Sequence, residues 1–438
     1  MTHRTAILVK FHPAARRQGT NASVSTAHPP FVICGQKLTP TSVFNTLWQW
    51  LAERKGIDDR RRAGLPAPWT QDPILQKFKF CNAYRVLDRT SQFVVREVIE
   101  KGAQDRTEML FRILLFNCFN KIETWQLLAR AFGRGGAPTY TAFDLDAYGV
   151  VLDVAVAAGT TLFTSAYMKI GHRLDYDANH MRHLQLLQIL MHDLPPVLAS
   201  ARFAADVYER IAAYPGMAAF TAYQLLLSLS YSPLLPFAAN DFVVPGPGAR
   251  SGLAKMFGRS IARARAAVPA ADIEAEVLRW MARTQTAHFA RLGLAFAPLR
   301  GADGRARPLD VADLEHAVCE VDKYARVRHP GVPGIGTRTQ LRGRFTPTGA
   351  LPASPVLPAA WADPARRTAR VRKGPVVVEQ RYCILRIVGE RKAGSGGIEY
   401  QVTWLGYTER TWEPRALILE DAPEIVAKWV KAKKGGRR

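Results

Sequence analysis

At 438 residues, 48% of them hydrophobic, the chain carries enough apolar material for two or three domains with a sizeable core, which excludes a disordered protein. Lys and Arg outnumber Asp and Glu by 60 to 37, a formal charge of +23, so a polyanionic partner is expected, and nucleic acid is the first candidate. An acidic membrane surface competes with it, but no run approaches the ~18 apolar residues of a span and no signal-peptide core opens the chain, so a soluble, intracellular protein with no membrane partner is expected.

Cys34, Cys81, Cys118, Cys319 and Cys383 lie far apart with no C-x-x-C pair. That argues against a zinc ribbon or a disulfide scaffold and leaves free thiols, most of them core packing. Residues 1–36 lack a sustained period and read as a mostly disordered tail with one short strand. Thr39-Pro40 then caps a helix with Val43, Leu47, Trp50 and Leu51 at helical spacing, ending near Gly56. After a basic loop at 60–68, KFKFCNAYRVLDR at 77–89 runs on as a helix through Phe93, Val94 and Ile99. Its interleaved basic and aromatic residues suit phosphate contacts beside a stacking surface, and equally a solvated helix face.

Residues 107–132 read as a central buried helix or helix pair, in which Asn117, Asn120, Lys121 and Glu123 need partners or line a cavity. A helix over 143–158 and a short extended segment over 162–168 follow. His172, His180 and His183 lie close together, but no spacing of a known metal site completes the set, so no metal is expected. Helices over 179–190 and 198–213 lead into residues 214–252, which read as helix, tight turn at Pro215-Gly216, helix, and a Pro-rich loop carrying Asp241. The layout is that of a helix-hairpin-helix, whose turn offers backbone N–H groups to a phosphate, or of a buried helical hairpin. The second glycine usual in such a turn is Ala218 here.

An amphipathic helix over 272–292 presents Ile273, Val277, Trp280 and Met281 on one face. The last helix, 309–326, carries Glu315, Glu320 and Asp322 with Lys323 and Arg326. This is either a surface salt-bridge network or a catalytic acid beside a phosphate-binding Arg. Pro, Gly, Ala and Arg then dominate without periodicity, so residues 345–375 read as a flexible basic linker, with a run at 366–373 suited to nuclear import or nucleic acid.

Residues 376–435 alternate over 382–388, turn at 394–397, form a second strand over 398–404 and a third near Trp412, and close with a helix over 423–432. IEYQVTWLGYTERTWEP with its trailing helix resembles a chromodomain. That resemblance implies an aromatic cage for a methylated lysine at Tyr382, Trp404 and Tyr407, since aromatic faces attract a weakly hydrated ammonium. The 408–411 segment is shorter than in heterochromatin-type members, Arg415, Ala416 and Leu417 replace an acidic run, and Arg381 stands where acidic residues are usual.

Residues 37–344 resemble the helical domain of the 5-hydroxymethyldeoxyuridine DNA kinase and α-glutamyl/putrescinyl-thymine pyrophosphorylase families, on the blocks KFKFCNAYRVLDR, LLFNCFNKIETW, YPGMAAFTAYQL, NDFVVPGPGA and CEVDKYAR. The resemblance implies an all-α, helix-hairpin-helix glycosylase-like domain acting on a modified thymine in DNA. In the pyrophosphorylase-type reaction an amine displaces pyrophosphate from the base's activated methylene. It implies Asp241 as the catalytic carboxylate, Arg85, Arg89, Lys121, Gly216, Lys323 and Arg326 as contacts to phosphate or DNA, and Tyr84 or Trp125 as the stacking residue. No G-x-x-x-x-G-K-[ST] occurs, so the chain does not read as a P-loop kinase, and no cofactor is expected. The expectation is a nuclear protein whose helical domain acts on or recognises a modified thymine, with DNA and a methylated histone tail as partners. A non-catalytic reader of modified DNA and a glycosylase-like repair protein stand as the alternatives.

Overall fold

The structure is a computed structural model that describes residues 29–133, 136–165, 176–214, 216–301, 303–348, 351–372, 376–378, 382, 384–394, 396–404, 407 and 409–435. His172, Arg381, Cys383 and most of the predicted tail lie outside the described residues. The chain opens on a hairpin of β1 (Phe31–Ile33) and β2 (Gln36–Leu38). Its turn holds Cys34 and Gly35 at φ 49° and 72°, the left-handed pair that two-residue hairpins need. Phe31 anchors it to the core, its ring centroid 4.4 Å from Trp280 and 5.1 Å from Phe44.

Helix α1 (Ser42–Arg62), capped by Thr41, continues past Gly56 to a last turn of three arginines. The expected stop does not occur because the Arg60 guanidinium lies across Gly56, where a Cβ would come within 3.1 Å of it. After α2 (Pro73–Lys77), residues 78–84 are extended, 85–87 form a 3-10 turn, and α3 (Arg89–Phe93) runs into a π-helical turn over Val94–Ile99. The helix expected from residue 77 is interrupted because carboxylates take its N–H groups: Glu320 and Asp313 of the last helix accept from Cys81 and Arg85, and Asp88 of the same segment accepts from Asn82. Those acceptors replace a local helical ladder.

The apolar stretch divides into α4 (Arg106–Phe119) and α5 (Ile122–Phe132) at Asn120, which is left-handed at φ 49°. Next come α6 (Leu145–Ala157), α7 (Asn179–Ser200), which runs on through Pro195 and Pro196, α8 (Ala204–Ala212) and α9 (Ala219–Ser230). No strand forms over 162–165. The Pro-rich loop ends earlier than expected, because Pro247 opens α10 (Pro247–Phe257), with α11 (Arg259–Ala267) and α12 (Ile273–Arg291) after it. A two-residue ladder of β3 (Leu299–Arg300) and β4 (Ala306–Arg307) precedes α13 (Val311–Arg328), whose N-terminus is closed by a reciprocal box between Asp310 and Asp313. One continuous apolar core joins these helices.

Helix α13 is central to that core, and α10 lies against it at close range. A Cβ on Gly252 would sit 2.4 Å from the Val318 carbonyl oxygen, and one on Gly248 would sit 2.3 Å from Cys319 Sγ. Ser251 and Lys255 on the same side of α10 reach Asp322 at 2.7 and 3.1 Å.

The expected linker is instead laid along the helical domain. Gln92 exchanges two hydrogen bonds of 2.9 Å with the backbone of Val356, and Trp361 Nε1 donates to Ser230 O at 3.3 Å. The Arg366 guanidinium covers the end of α9 by donating to Ser230 O and Ser232 O, and Arg372 pairs with Asp206 and Glu209 of α8. Buried carbonyls at helix ends need such donors, and an Arg-rich, Pro-rich strand supplies them.

The C-terminal module is a three-stranded antiparallel sheet, β5 (Ile384–Lys392), β6 (Ile398–Trp404) and β7 (Arg410–Pro414), followed by α14 (Arg415–Asp421) and α15 (Pro423–Gly435). Its small core is Ile387, Tyr400, Val402, Ile418 and Val426. Among the described residues no helix is long and apolar enough to cross a membrane.

Gly252→Val tests the α10–α13 contact. The added side chain meets a backbone oxygen that cannot give way, so a loss on the order of 1–3 kcal/mol is expected in urea unfolding of the helical domain. Unchanged stability would mean that the helices do not meet at this distance.

Candidate active site

A cleft of about 1870 Å³ opens in the helical domain. It exceeds the ~300–1,000 Å³ usual for a small-molecule pocket, so it has room for a nucleotide with its flanking phosphates. Its floor is one face of α13, made by Glu315, His316, Cys319, Glu320 and Lys323, which recur at the spacing of adjacent turns. Facing them are the extended segment and α3, with Cys81, Asn82, Arg85, Asp88 and Arg89. Trp125 of α5 and Phe220 and Gln224 of α9 supply further wall.

Glu315 is buried at 4% exposure and accepts the Gly246 N–H at 3.0 Å. Burial raises its pKa above the ordinary carboxylate value, against the lowering by that bond, His316 and Arg85. A carboxyl whose pKa is raised by burial in a cleft is a better proton acceptor than an exposed one. Glycine at 246 leaves room for it, since a Cβ there would lie 3.2 Å from the carboxylate oxygen.

Glu320 accepts the Cys81 N–H at 3.1 Å and holds the Lys323 ammonium at 2.5 Å. Burial works against the charge on Lys323, but Glu320 outweighs it and keeps the ammonium above its ordinary value. His316 Nε2 lies 3.1 Å from Asp88 Oδ2, and the other oxygen of Asp88 accepts the Asn82 N–H at 2.8 Å. Arg54 braces the segment from below, donating to the Cys81 carbonyl and to Asn82 Oδ1, each at 2.9 Å. Arg85 is fixed at both ends: its N–H donates to Asp313 at 2.7 Å, and its guanidinium donates to the buried Gln224 Oε1.

Of the residues expected at the site, Arg85, Arg89, Lys323 and Trp125 line this cleft. Asp241 does not. Its two oxygens accept the N–H groups of Ala238 at 2.9 Å and Arg370 at 2.6 Å, so it closes its own loop onto the chain beyond the domain. Tyr84 is buried and engaged with Arg307 O and the Leu299 N–H, which leaves no ring face for a base. Lys121 donates to Thr161, Arg326 to Asp322 and Gln340, and Gly216 forms the α8–α9 turn at φ 80°. None of these three lines the cleft.

Asp88, His316 and Arg54 were not singled out by sequence reasoning. Only the block KFKFCNAYRVLDR hinted at the first, and nothing local marks the other two. Of the histidines that did draw notice, His180 lies on Asp153 at 2.9 Å and His183 against Phe163.

In the C-terminal module the three expected aromatics come together. Tyr382 lies 6.1 Å from Trp404 at 76° and 5.2 Å from Tyr407 at 50°, and Tyr382 and Tyr407 are exposed. Trp404 is pinned by its Nε1 donating to Thr411 Oγ1 at 2.8 Å.

Comparison with known proteins agrees with this division. The family model described as 5-hmdU DNA kinase, helical domain, matches residues 41–334, and the chromodomain model matches residues 382–432. A curated 5-hmdU DNA kinase of Bacillus phage SP10 is 23% identical over 308 residues, covering 64% of this chain and 45% of that protein. The chain therefore spans less than half the length of this relative. No solved structure matches.

Glu315→Gln keeps an acceptor for Gly246 and removes the titration. A carboxyl whose folded-state pKa is raised disfavours folding increasingly as pH rises from the unfolded value of ~4.3 through the folded one. The variant should therefore gain stability over the parent as pH rises above the unfolded value of about 4.3, and the gain should shrink below it. Urea midpoints across this range measure the difference, and a pH-independent offset would contradict the assignment.

Proposed function

The chain belongs to the family of 5-hmdU DNA kinase helical domains, and from that membership we propose that its cleft receives a 5-substituted uracil turned out of DNA and acts on the 5-substituent. The observation that carries the reading is the convergence, in one cleft, of a buried, protonatable Glu315 with Arg85, Arg89 and Lys323. An active-site cleft cannot enclose a base that is still stacked in a duplex, so the base must leave the stack, and Trp125 and Phe220 offer it apolar walls. The reaction class that fits is displacement of a phosphate or pyrophosphate leaving group from the base's methylene. Glu315 takes the proton of the incoming amine or hydroxyl, and Arg85 and Lys323 neutralise the departing anion.

The chromodomain supplies location. Tyr382, Trp404 and Tyr407 form a cage for a methylated lysine of a histone tail, held by cation–π attraction of ~0.5–2 kcal/mol per good contact. Together the two parts describe a nuclear protein that modifies DNA bases in chromatin.

Incubation of duplexes carrying pyrophosphoryloxymethyl-uracil with a primary amine, followed by nucleoside mass spectrometry, tests the first part, with hydroxymethyl-uracil duplexes as the control that lacks the leaving group. The expected result is a mass change at the modified base that falls ~10²-fold or more in Glu315→Gln with DNA affinity retained. An unchanged base with tight binding would make the domain a reader, and an abasic site would make it a glycosylase. For the second part, Trp404→Ala should weaken binding of trimethyl-lysine histone peptides by roughly tenfold in fluorescence polarisation. Equal binding of methylated and unmethylated peptides by the parent protein would remove the cage.

A further inference from the structure

We propose that Cys81, Asp88 and His316 form a three-ligand site for a divalent cation of the zinc class, with a fourth coordination position open to the cleft. One ligand atom from each of these residues lies within 4.8 Å of the other two, and all three line the cleft. A tetrahedral zinc ion with bonds of about 2.0–2.3 Å sets its ligands roughly 3.3–3.8 Å apart. His316 Nε2 and Asp88 Oδ2, at 3.1 Å, already stand near that spacing, so a shift of about 1 Å in the Cys81 side chain would complete the set.

The donors come from three separate places: the extended segment, the cap of α3 and the floor helix α13. Cys81 and Asp88 are held by groups outside the ligand set, as metal ligands usually are. Glu320 accepts the Cys81 N–H and Arg54 donates to the Cys81 carbonyl, so the backbone on both sides of the thiol is fixed. Asn82 N–H occupies the second oxygen of Asp88, leaving the first to point at His316. The oxygens of Glu320 are engaged by Cys81 and Lys323, so it frames the site and is not a ligand.

The donor types choose the ion. Thiolate and imidazole favour zinc-class cations, while magnesium and calcium take all-oxygen sets. Three protein ligands with one position open is the pattern of zinc sites that handle a substrate or water. Cys319, although near, is a packing thiol that fits against Gly248. The open position faces the space assigned above to the DNA base and its phosphates. In naming water or a phosphoryl oxygen as its fourth ligand, the inference rests on that reading, but the presence of the ion does not.

Cobalt(II) titration of the full chain, purified through chelator and free of DNA, tests the site. The expected result is one equivalent bound, with a sulfur-to-cobalt charge-transfer band that zinc(II) abolishes. The band should vanish in Cys81→Ser, persist in Cys319→Ser, and require ~10–100-fold more cobalt in Asp88→Asn. Absence of the band in the parent, or an equal band in Cys81→Ser with native circular dichroism, would overturn the proposal. Base modification without cobalt binding would sink the metal site and leave the proposed reaction intact. Cobalt binding without any base change would do the reverse.

Discussion

Two helices meet at backbone distance, and the rest of the helical domain is hung on that contact. Gly248 and Gly252, one turn apart on α10, let it lie against the Val318 carbonyl and Cys319 of α13, an approach that any Cβ would prevent. The contact fixes the rotation of α13 about its axis. Leu314, Ala317, Val318, Val321 and Ala325 are thereby committed to the core, and Glu315, His316, Glu320 and Lys323 to the cleft. The block NDFVVPGPGA is thus first a packing device, and its Gly246 N–H is what orients Glu315.

Helix α13 also carries four buried acids, and each is read by a different element. Asp313 accepts from Arg85, Glu315 from Gly246, Glu320 from Cys81 and Lys323, and Asp322 from Ser251, Lys255 and Arg326. A buried polar group without a partner costs ~1–3 kcal/mol, so a register slip of α13 would strand several at once. For Asp322 the partners outweigh burial and hold the carboxyl below its ordinary value, whereas for Glu315 burial wins. The same helix therefore favours the charged form of Asp322 and the protonated form of Glu315.

Much of this architecture could be read in the chain. The chromodomain hairpin announced itself by strand alternation and by W-x-G-Y, because side chains two apart on a strand share a face, and its three aromatics do meet. The helices from α4 to α9 were expected from apolar period, but α7 runs past the expected end at 190, through Pro195 and Pro196 to Ser200, and α8 begins only at Ala204. What failed did so for physical reasons. Residues 77–89 have helical composition, but distant carboxylates took their N–H groups. Asp241 looked like a free acid in a Pro-rich loop, yet Arg370, 129 residues further on, binds it through its N–H. Cys81, Asp88 and His316 could not be associated by spacing, since 228 residues separate the last two. The basic run at 366–373 read as a nuclear-import or nucleic-acid patch because nothing local tells an arginine that helix-end carbonyls await it.

That basic strand changes how far apart the two modules can work. A leash starting at residue 345 would let the sheet wander well over 100 Å at ~3.5 Å per residue, enough to sample neighbouring stretches of chromatin. With Arg372 gripped by Asp206 and Glu209, and the Val377 N–H held by Glu209, only seven residue steps separate Val377 from the first residue of β5 at Ile384. That allows about 25 Å, comparable to seven base-pair rises of a duplex. The sheet, and any ligand it takes, is then held within that short reach of the helical domain.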